Sequence, residues 1–104
     1  MSGMESRRHL YHVYILECAD GSYYTGVTNN LVRRLKEHQS GTDGESYTAQ
    51  RLPVQLVYSE RHLYIMNAIA REKSIKSWSR AKKKASIEGS FQNLRMLSKK
   101  KFKK

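Results

Sequence analysis

Four side chains in the first forty residues could together handle a phosphate group: Tyr14, Tyr24, Arg34 and His38. Arginine can hold a phosphate through two parallel hydrogen bonds and can stabilise the charge that develops when a phosphodiester is attacked. Histidine can accept or pass on a proton near neutral pH, and a phenol offers an anion both a hydroxyl group and an aromatic surface. Taken singly, each of these residues is more typical of a half-buried strand or a solvated helix than of a site.

Glu72 is a carboxylate on an otherwise apolar stripe. Apolar residues recur at helical spacing from Ile65 to Ile75, and Glu72 falls on the same side of that predicted helix. A carboxylate in this position is costly unless it is paired or binds a cation. Two alternatives therefore stay open, namely a structural salt bridge to Arg34 and a role as a Mg²⁺ ligand.

The two tyrosines are placed by a predicted β-hairpin. Segments 12–18 and 22–28 are rich in aromatic and β-branched residues and surround the turn signal Asp20–Gly21. A two-residue turn would put Tyr14 and Tyr24 on opposite faces of the ribbon. The length of the turn therefore decides whether the two rings can act together.

A three-residue loop over 19–21 gives the register that joins them. Gly21 then takes the left-handed backbone conformation, which only glycine adopts cheaply. Tyr14 lies opposite Gly26, and its ring shares one face with Tyr24. Two phenols flanking a glycine form a platform for an anion, and open space over Gly26 would let a backbone approach closely.

The remaining elements follow from caps and periodicity. A helix begins after Asn29 or Asn30 and ends at Gly41, so Arg34 and His38 share one of its faces. We also predict a polar loop over 40–53, a third strand over 54–59, a long helix from residue 62 to about residue 80, and one or two short basic helices between 81 and 98.

The formal net charge of +11 is concentrated at one end of the 104-residue chain. Residues 1–70 contain seven basic and seven acidic residues, whereas 71–104 contain thirteen basic residues and only Glu72 and Glu88 as acidic ones. Such asymmetry points to a polyanionic partner, with nucleic acid as the leading candidate and an anionic membrane surface as the next. The candidate nucleic-acid-binding residues are Lys73, Lys76, Arg80, Lys82, Lys83 and Lys84.

Length, cysteine content and hydropathy set the class of protein. The length predicts a single domain over residues 1–104, with a core at about 11–80 and a basic C-terminal segment at 81–104. A lone cysteine, Cys18, excludes a disulfide framework and favours a reducing cytoplasm, where we interpret it as a small core residue. No apolar run approaches the roughly 20 residues of a membrane span. We expect no membrane partner and no obligate protein partner.

The order and spacing of the candidate site residues resemble those of the GIY-YIG nuclease superfamily. The sequence has "VYI" at 13–15 and "YTG" at 24–26, Arg34 eight residues after that glycine, His38 one turn later, and the glutamate of "AREKSIKSW". The resemblance spans about residues 11–80, and the pattern is similar to that of the small stand-alone bacterial members.

The resemblance implies an α+β fold, α/β in the broad sense, with a small central three-stranded antiparallel sheet flanked by helices. It also implies metal-dependent hydrolysis of DNA phosphodiesters. Carried over by position, Tyr14 and Tyr24 would shape the site and help to position or deprotonate the attacking water. Arg34 would bind the scissile phosphate, His38 would assist proton transfer, and Glu72 would hold one divalent ion, Mg²⁺ or Mn²⁺.

Two positions depart from the superfamily pattern. His12 stands where the first motif has glycine, and Val27 stands where several relatives have a lysine. Because that lysine is absent, we expect His38 to contribute more to proton transfer. A single carboxylate also supplies few protein ligands for Mg²⁺, which keeps several waters and uses substrate oxygens. We therefore expect weak metal binding without DNA.

The sequence leaves three functional hypotheses. The first is a DNA endonuclease acting on single-stranded, nicked or branched DNA, and the second is a nucleic-acid-binding module of the same fold with little or no catalysis. The third is a basic protein associated with ribosomes or RNA. Cleavage assays with metal or EDTA separate the first two, and tighter binding to structured RNA than to DNA would mark the third.

Overall fold

The computed structural model describes residues 10–41 and 47–89. Within these residues lie a three-stranded antiparallel sheet and three helices. The strands are β1 (Tyr11–Glu17), β2 (Tyr23–Thr28) and β3 (Gln55–His62), and the helices are α1 (Leu31–Ser40), α2 (Ile65–Lys76) and α3 (80–89). The α+β architecture expected from the sequence is confirmed.

Strand β1 is the middle strand of the sheet, whose order is β2-β1-β3. Both of its neighbours run antiparallel to it. Its side chains alternate between the two faces, so one strand contributes to two separate clusters of buried residues. Val13 and Ile15 belong to the first cluster, whereas Tyr14 and Leu16 belong to the second.

The hairpin between β1 and β2 has the predicted three-residue loop. Gly21 has a φ of 85°, in the left-handed region. The amide of Cys18 donates to the carbonyl of Ser22 at 2.9 Å, which closes the loop. Tyr14 pairs with Gly26 and Leu16 with Tyr24, so both tyrosine rings lie in the second cluster.

Helix α1 begins and ends at the predicted residues. The side chain of Asn30 accepts a hydrogen bond from the amide of Arg33, and Gly41 terminates the helix with a φ of 71°. An N-cap of this type stabilises a helix by about 1 kcal/mol. Leu31 and Leu35 pack on the second cluster, which fixes the face that α1 turns toward Tyr14.

From the sequence, the apolar side of α2 is expected to face the side of the sheet that carries Tyr14 and Tyr24, and this expectation is wrong. Ala68 and Ile75 from this stripe are buried with Val13 and Ile15, in the first cluster, and not on the face that carries Tyr14. The sequence pattern defined the buried side of the helix, but it could not say which face of the sheet that side covers.

The predicted long helix ends about four residues before its expected end near residue 80, and α3 lies where a short basic helix was predicted. Helix α2 ends at Lys76, where the hydroxyl of Ser77 donates to the carbonyl of Ser74 at 2.7 Å. The hydroxyl of Ser79 then accepts from the amide of Lys82 at 3.1 Å and caps α3. Two serines close to each other therefore end one helix and begin the next.

Other bounds differ by a few residues. Strand β3 runs to His62, three residues beyond the predicted end, and α2 begins at Ile65. The predicted helical segment from 90 to 98, the terminal lysines and residues 42–46 of the polar loop lie outside the described residues. None of the helices within the described ranges has the length and hydrophobicity needed to span a bilayer.

Candidate active site

The site is built around the phenol of Tyr14, a residue that is only 1% exposed. Its hydroxyl lies 2.9 Å from Nε2 of His38. The rings of Tyr14 and His38 meet edge to face, with centroids 5.8 Å apart. Strand β1 and helix α1 thus bring together two predicted site residues that are 24 positions apart in the chain.

Gly26 makes this arrangement possible in a different way from the one expected. The predicted open space over the glycine is filled by the ring of Tyr14, because a Cβ atom at position 26 would lie 2.5 Å from the phenol oxygen. The absence of a side chain therefore makes room for the tyrosine itself, and no backbone can approach from outside at that point.

His38 is almost completely enclosed, with 2% exposure. Its second ring nitrogen, Nδ1, lies 2.7 Å from Oγ1 of Thr48. Thr48 is also buried and comes from the segment that connects α1 to β3. Both imidazole nitrogens therefore have protein partners, and the ring is fixed in orientation.

Arg34 acts on the phenol of Tyr14 as a hydrogen-bond donor and as a positive charge, and both effects lower the pKa of the phenol. When the hydroxyl of Tyr14 donates to Nε2 of His38, the imidazole proton lies on Nδ1, which donates to Thr48. A transfer of the phenol hydrogen to His38 requires this tautomer.

Arg34 is held at the site by a neighbour on its own helix. Its Nη1 atom donates to Oε1 of Glu37 at 2.8 Å. Glu37 also lies 3.7 Å from Nε of Arg33, as expected for residues three and four positions apart on a helix. Arg34 is thus oriented before any substrate is present.

Tyr24 forms the aromatic wall of the site. Its ring centroid lies 6.4 Å from that of Tyr14 and 5.1 Å from that of His38. On its other side it stacks on Tyr47 at 6.1 Å, and the guanidinium of Arg51 lies 3.7 Å from the centroid of the Tyr47 ring. A tyrosine and an arginine from the α1–β3 connection therefore extend this wall toward solvent.

Glu72 is half-buried, with its side chain 15% exposed. Its Oε2 atom lies 2.8 Å from Nζ of Lys76, one turn further along α2. The structural alternative raised for this carboxylate, a salt bridge to Arg34, is therefore replaced by an ion pair within the helix. The charge of Glu72 nevertheless acts on Tyr14, since it raises the pKa of that phenol.

The pKa of Tyr14 is raised to about 12, mainly by burial. The charges of Tyr24 and Glu72 contribute to this rise, whereas the hydrogen bond and the charge of Arg34 oppose it. At neutral pH the phenol is therefore protonated in all but roughly one molecule in 10⁵. It can act on a water only if it releases its own proton as it accepts another.

The residues present fit a divalent ion only in one way. Among the described residues, no three His, Cys, Asp or Glu side chains form a group that could hold a metal. Glu72 offers one carboxylate, which suits Mg²⁺ when water and substrate phosphate supply the other ligands.

The basic residues of α2 and α3 have several contacts of their own. Arg80 donates to the carbonyl of Gly21 and lies over the ring of Tyr23, and Lys82 lies 4.5 Å from the centroid of the Trp78 ring. Lys84 is 3.9 Å from Glu88, whereas Lys73 and Lys83 make no ion pair within the described residues. These contacts leave the assignment of all six basic residues to nucleic-acid binding as a prediction.

Sequence reasoning missed Thr48, Glu37, Tyr47 and Arg51. Glu37 could have been found, because it stands three positions after Arg34 on a predicted helix. Thr48 and Tyr47 lie in a polar segment without periodicity, where the only signal was an aromatic residue among polar neighbours.

The contact between Gly26 and Tyr14 leads to a prediction. Replacing Gly26→Ala should lower the free energy of unfolding by about 1–3 kcal/mol and displace the phenol from His38, because the new methyl group overlaps the Tyr14 ring. Chemical denaturation and the NMR signals of the His38 imidazole measure the two effects.

The matched control is Gly89→Ala on α3, where an added Cβ meets nothing within 4 Å. This variant should be as stable as the original chain or slightly more stable, because alanine is the better helix former. Equal stability of the two variants, with the His38 signals unchanged in both, would contradict the described packing of Tyr14.

Several known proteins are similar to this chain in sequence. Residues 10–85 match the GIY-YIG catalytic domain. The chain is 43% identical over 86 residues to a UPF0213 protein of Desulfotalea psychrophila, an alignment covering 83% of this chain and 78% of the relative. It is 47% identical over 76 residues to a UPF0213 protein of Halobacterium salinarum, covering 73% and 97% respectively.

Two solved structures have a similar fold. The solution NMR structure of a UPF0213 protein from Bacillus halodurans is 42% identical, with a TM-score of 0.50 over 76% of this chain and 83% of the other. A second NMR structure, of a protein from E. faecalis, is 34% identical, with a TM-score of 0.55 over 80% and 88%. Together with the matched domain, these similarities establish that the chain belongs to the GIY-YIG nuclease superfamily, among its small UPF0213 members.

Proposed function

We propose that this protein is a DNA endonuclease that hydrolyses phosphodiester bonds with the help of one divalent ion, Mg²⁺ or Mn²⁺. The observation that carries the proposal is the position of the Tyr14 phenol. It is hydrogen-bonded to His38 and lies within the electrostatic reach of Arg34 and Glu72. A phosphate-binding cation, a proton carrier and a carboxylate therefore act on one hydroxyl group.

Arg34 supplies the contact to the scissile phosphate. Glu37 orients its guanidinium, whose Nη1 atom donates to Oε1 of Glu37 at 2.8 Å. A planar guanidinium matches two phosphate oxygens, and its charge becomes more valuable as negative charge builds up in the transition state. Tyr24 and Tyr47 line the site with aromatic surface, and the guanidinium of Arg51 over the Tyr47 ring adds a positive charge at the outer end of this wall.

Tyr14 and His38 form the route of the proton. As the oxygen of an attacking water forms its bond to phosphorus, the water releases a proton to the phenol oxygen of Tyr14. The phenol releases its own hydrogen to Nε2 of His38 in the same step, so no phenolate has to be present beforehand. The bond from phosphorus to the leaving oxygen then breaks on the opposite side of the phosphorus atom, where that oxygen takes a proton from solvent water. The proton held by His38 returns through Tyr14 to water in the site when the product leaves.

Glu72 would hold the divalent ion. When bound there, the ion would polarise the phosphate and make the attacking water more acidic. Phosphate binding and proton transfer are carried out by Arg34, Tyr14 and His38.

A cleavage panel tests the proposed function. The protein is incubated with single-stranded, nicked, flapped and intact duplex DNA in Mg²⁺, in Mn²⁺ and in EDTA. We expect products from at least one DNA form with either ion and none in EDTA, with Arg34→Ala as the inactive control. Binding to DNA without cleavage under any of these conditions would instead identify a non-catalytic nucleic-acid-binding module.

A further inference from the structure

The ion pair between Glu72 and Lys76 occupies the carboxylate that the divalent ion would need. Oε2 of Glu72 and Nζ of Lys76 are 2.8 Å apart. Glu72 is mostly withdrawn from solvent, so the attraction between the two charges is less screened than in a fully exposed pair. In the protein alone, a lysine already satisfies the negative charge of the carboxylate.

A divalent ion and the ammonium group of Lys76 would compete for Glu72. The carboxylate has a second oxygen, but two cations bound side by side repel each other strongly at this distance. Loading Glu72 with an ion therefore requires Lys76 to move away. That movement has a cost unless Lys76 finds another anion.

Lys76 is well placed to find one. Its side chain is 54% exposed, so it can leave Glu72 without unpacking a core. The hydrogen bond that its ammonium group donates to Glu72 is the main cause that raises its pKa, and the charge of Tyr24 is a smaller one. The ammonium group is thus within electrostatic reach of the aromatic wall along which a DNA backbone held by Arg34 would pass.

We propose that Lys76 exchanges Glu72 for a phosphate oxygen of bound DNA, so that Glu72 accepts its divalent ion only when DNA is present. The inference rests on the proposed function, because it takes Glu72 as the metal-binding residue. Since coupling between two ligands is reciprocal, DNA tightens metal binding by the same factor by which the metal tightens DNA binding. The protein without DNA then remains largely free of metal.

The test measures metal binding directly. Free Mn²⁺ is followed by its EPR signal during titration of the full chain, first alone and then with a short single-stranded DNA carrying phosphorothioate linkages. Lys76→Met should bind Mn²⁺ about three- to tenfold more tightly than the original chain in the absence of DNA. The additional tightening caused by the DNA should be smaller in this variant than in the original chain.

Two further variants serve as controls. Lys76→Arg keeps an ion pair with Glu72 and should bind Mn²⁺ like the original chain. Lys73→Met removes the same charge from an exposed position on the same helix that makes no ion pair among the described residues, and it should change Mn²⁺ affinity by less than about twofold. Mn²⁺ bound by the DNA itself is common to all variants and cancels in the comparison.

The outcomes separate the failure of this inference from failure of the proposed function. If Lys76→Met binds Mn²⁺ no more tightly than Lys73→Met, while Glu72→Gln loses Mn²⁺ binding, the exchange is refuted and Glu72 remains the metal-binding residue. If Glu72→Gln binds Mn²⁺ as well as the original chain in both arms, Glu72 is not the metal ligand, and both proposals are overturned.

Discussion

Glu72→Gln is expected to reduce DNA cleavage by about 10³-fold or more without weakening DNA binding in EDTA. Glutamine is nearly the same size but lacks the charge that would hold a divalent ion. We expect DNA affinity without metal to come from the basic residues of α2 and α3, and the variant has one repulsive charge fewer. Binding in EDTA, where no ion is coupled to the DNA, should therefore be equal to that of the original chain or slightly tighter.

Single-turnover cleavage and fluorescence anisotropy measure the two quantities separately. The matched control is Glu88→Gln, which removes the same charge from an exposed residue of α3 whose carboxylate lies 3.9 Å from Lys84. It should also bind DNA slightly more tightly, but it should cleave at the original rate. A wild-type rate for Glu72→Gln in Mg²⁺ would refute the role assigned to this carboxylate.

Tyr14→Phe is expected to slow cleavage by about 10²- to 10⁴-fold. The aromatic ring still fills the space over Gly26, but the hydroxyl that passes a proton between water and His38 is gone. The buried Nε2 atom of His38 also loses its partner, which should lower the free energy of unfolding by about 1–3 kcal/mol. Most of the rate loss should appear in the chemical step and not in DNA affinity.

Tyr58→Phe distinguishes loss of chemistry from loss of stability. The hydroxyl of Tyr58 donates to Oε1 of Glu60 at 2.6 Å, in a cluster that also includes His62 and Arg71. Tyr58 pairs with Ile15, so it lies on the face of the sheet opposite to Tyr14. This variant should be destabilised to a similar extent and still cleave DNA. A Tyr14→Phe protein that cleaves as fast as Tyr58→Phe would remove the phenol from the mechanism.

The sequence predicted the fold correctly where single residues determine the local backbone conformation. Gly21 needs a left-handed conformation, and Asn30 and Gly41 are residues that cap helices. Asn30 and Gly41 were sufficient to predict the limits of α1, whereas Gly21 is compatible with both turn lengths, and the three-residue loop was one of two registers considered. A boundary between two helices was predicted near residue 80, but its position at 77–79 was not, because it depends on the hydroxyl groups of Ser77 and Ser79. Serine is common in exposed helices, and its bonds cannot be inferred from periodicity.

The site was predictable only in part, because its residues meet through tertiary packing. The register placed Tyr14 and Tyr24 on one face, and helical spacing placed Arg34 with His38. Nothing in the pattern indicated that Thr48 would hold the imidazole or that Lys76 would hold Glu72. The apolar stripe of α2 likewise gave no information about the face of the sheet that it would cover.

The enclosure of His38 has a consequence for turnover. An imidazole with 2% exposure cannot trade its proton directly with buffer molecules. In the proposed relay, the proton that it receives must return through Tyr14, so the pair fills and empties from the substrate side alone. If the relay operates, the pair would be reset once in each turnover, and the cleavage rate should not depend on the concentration or chemical identity of the buffer.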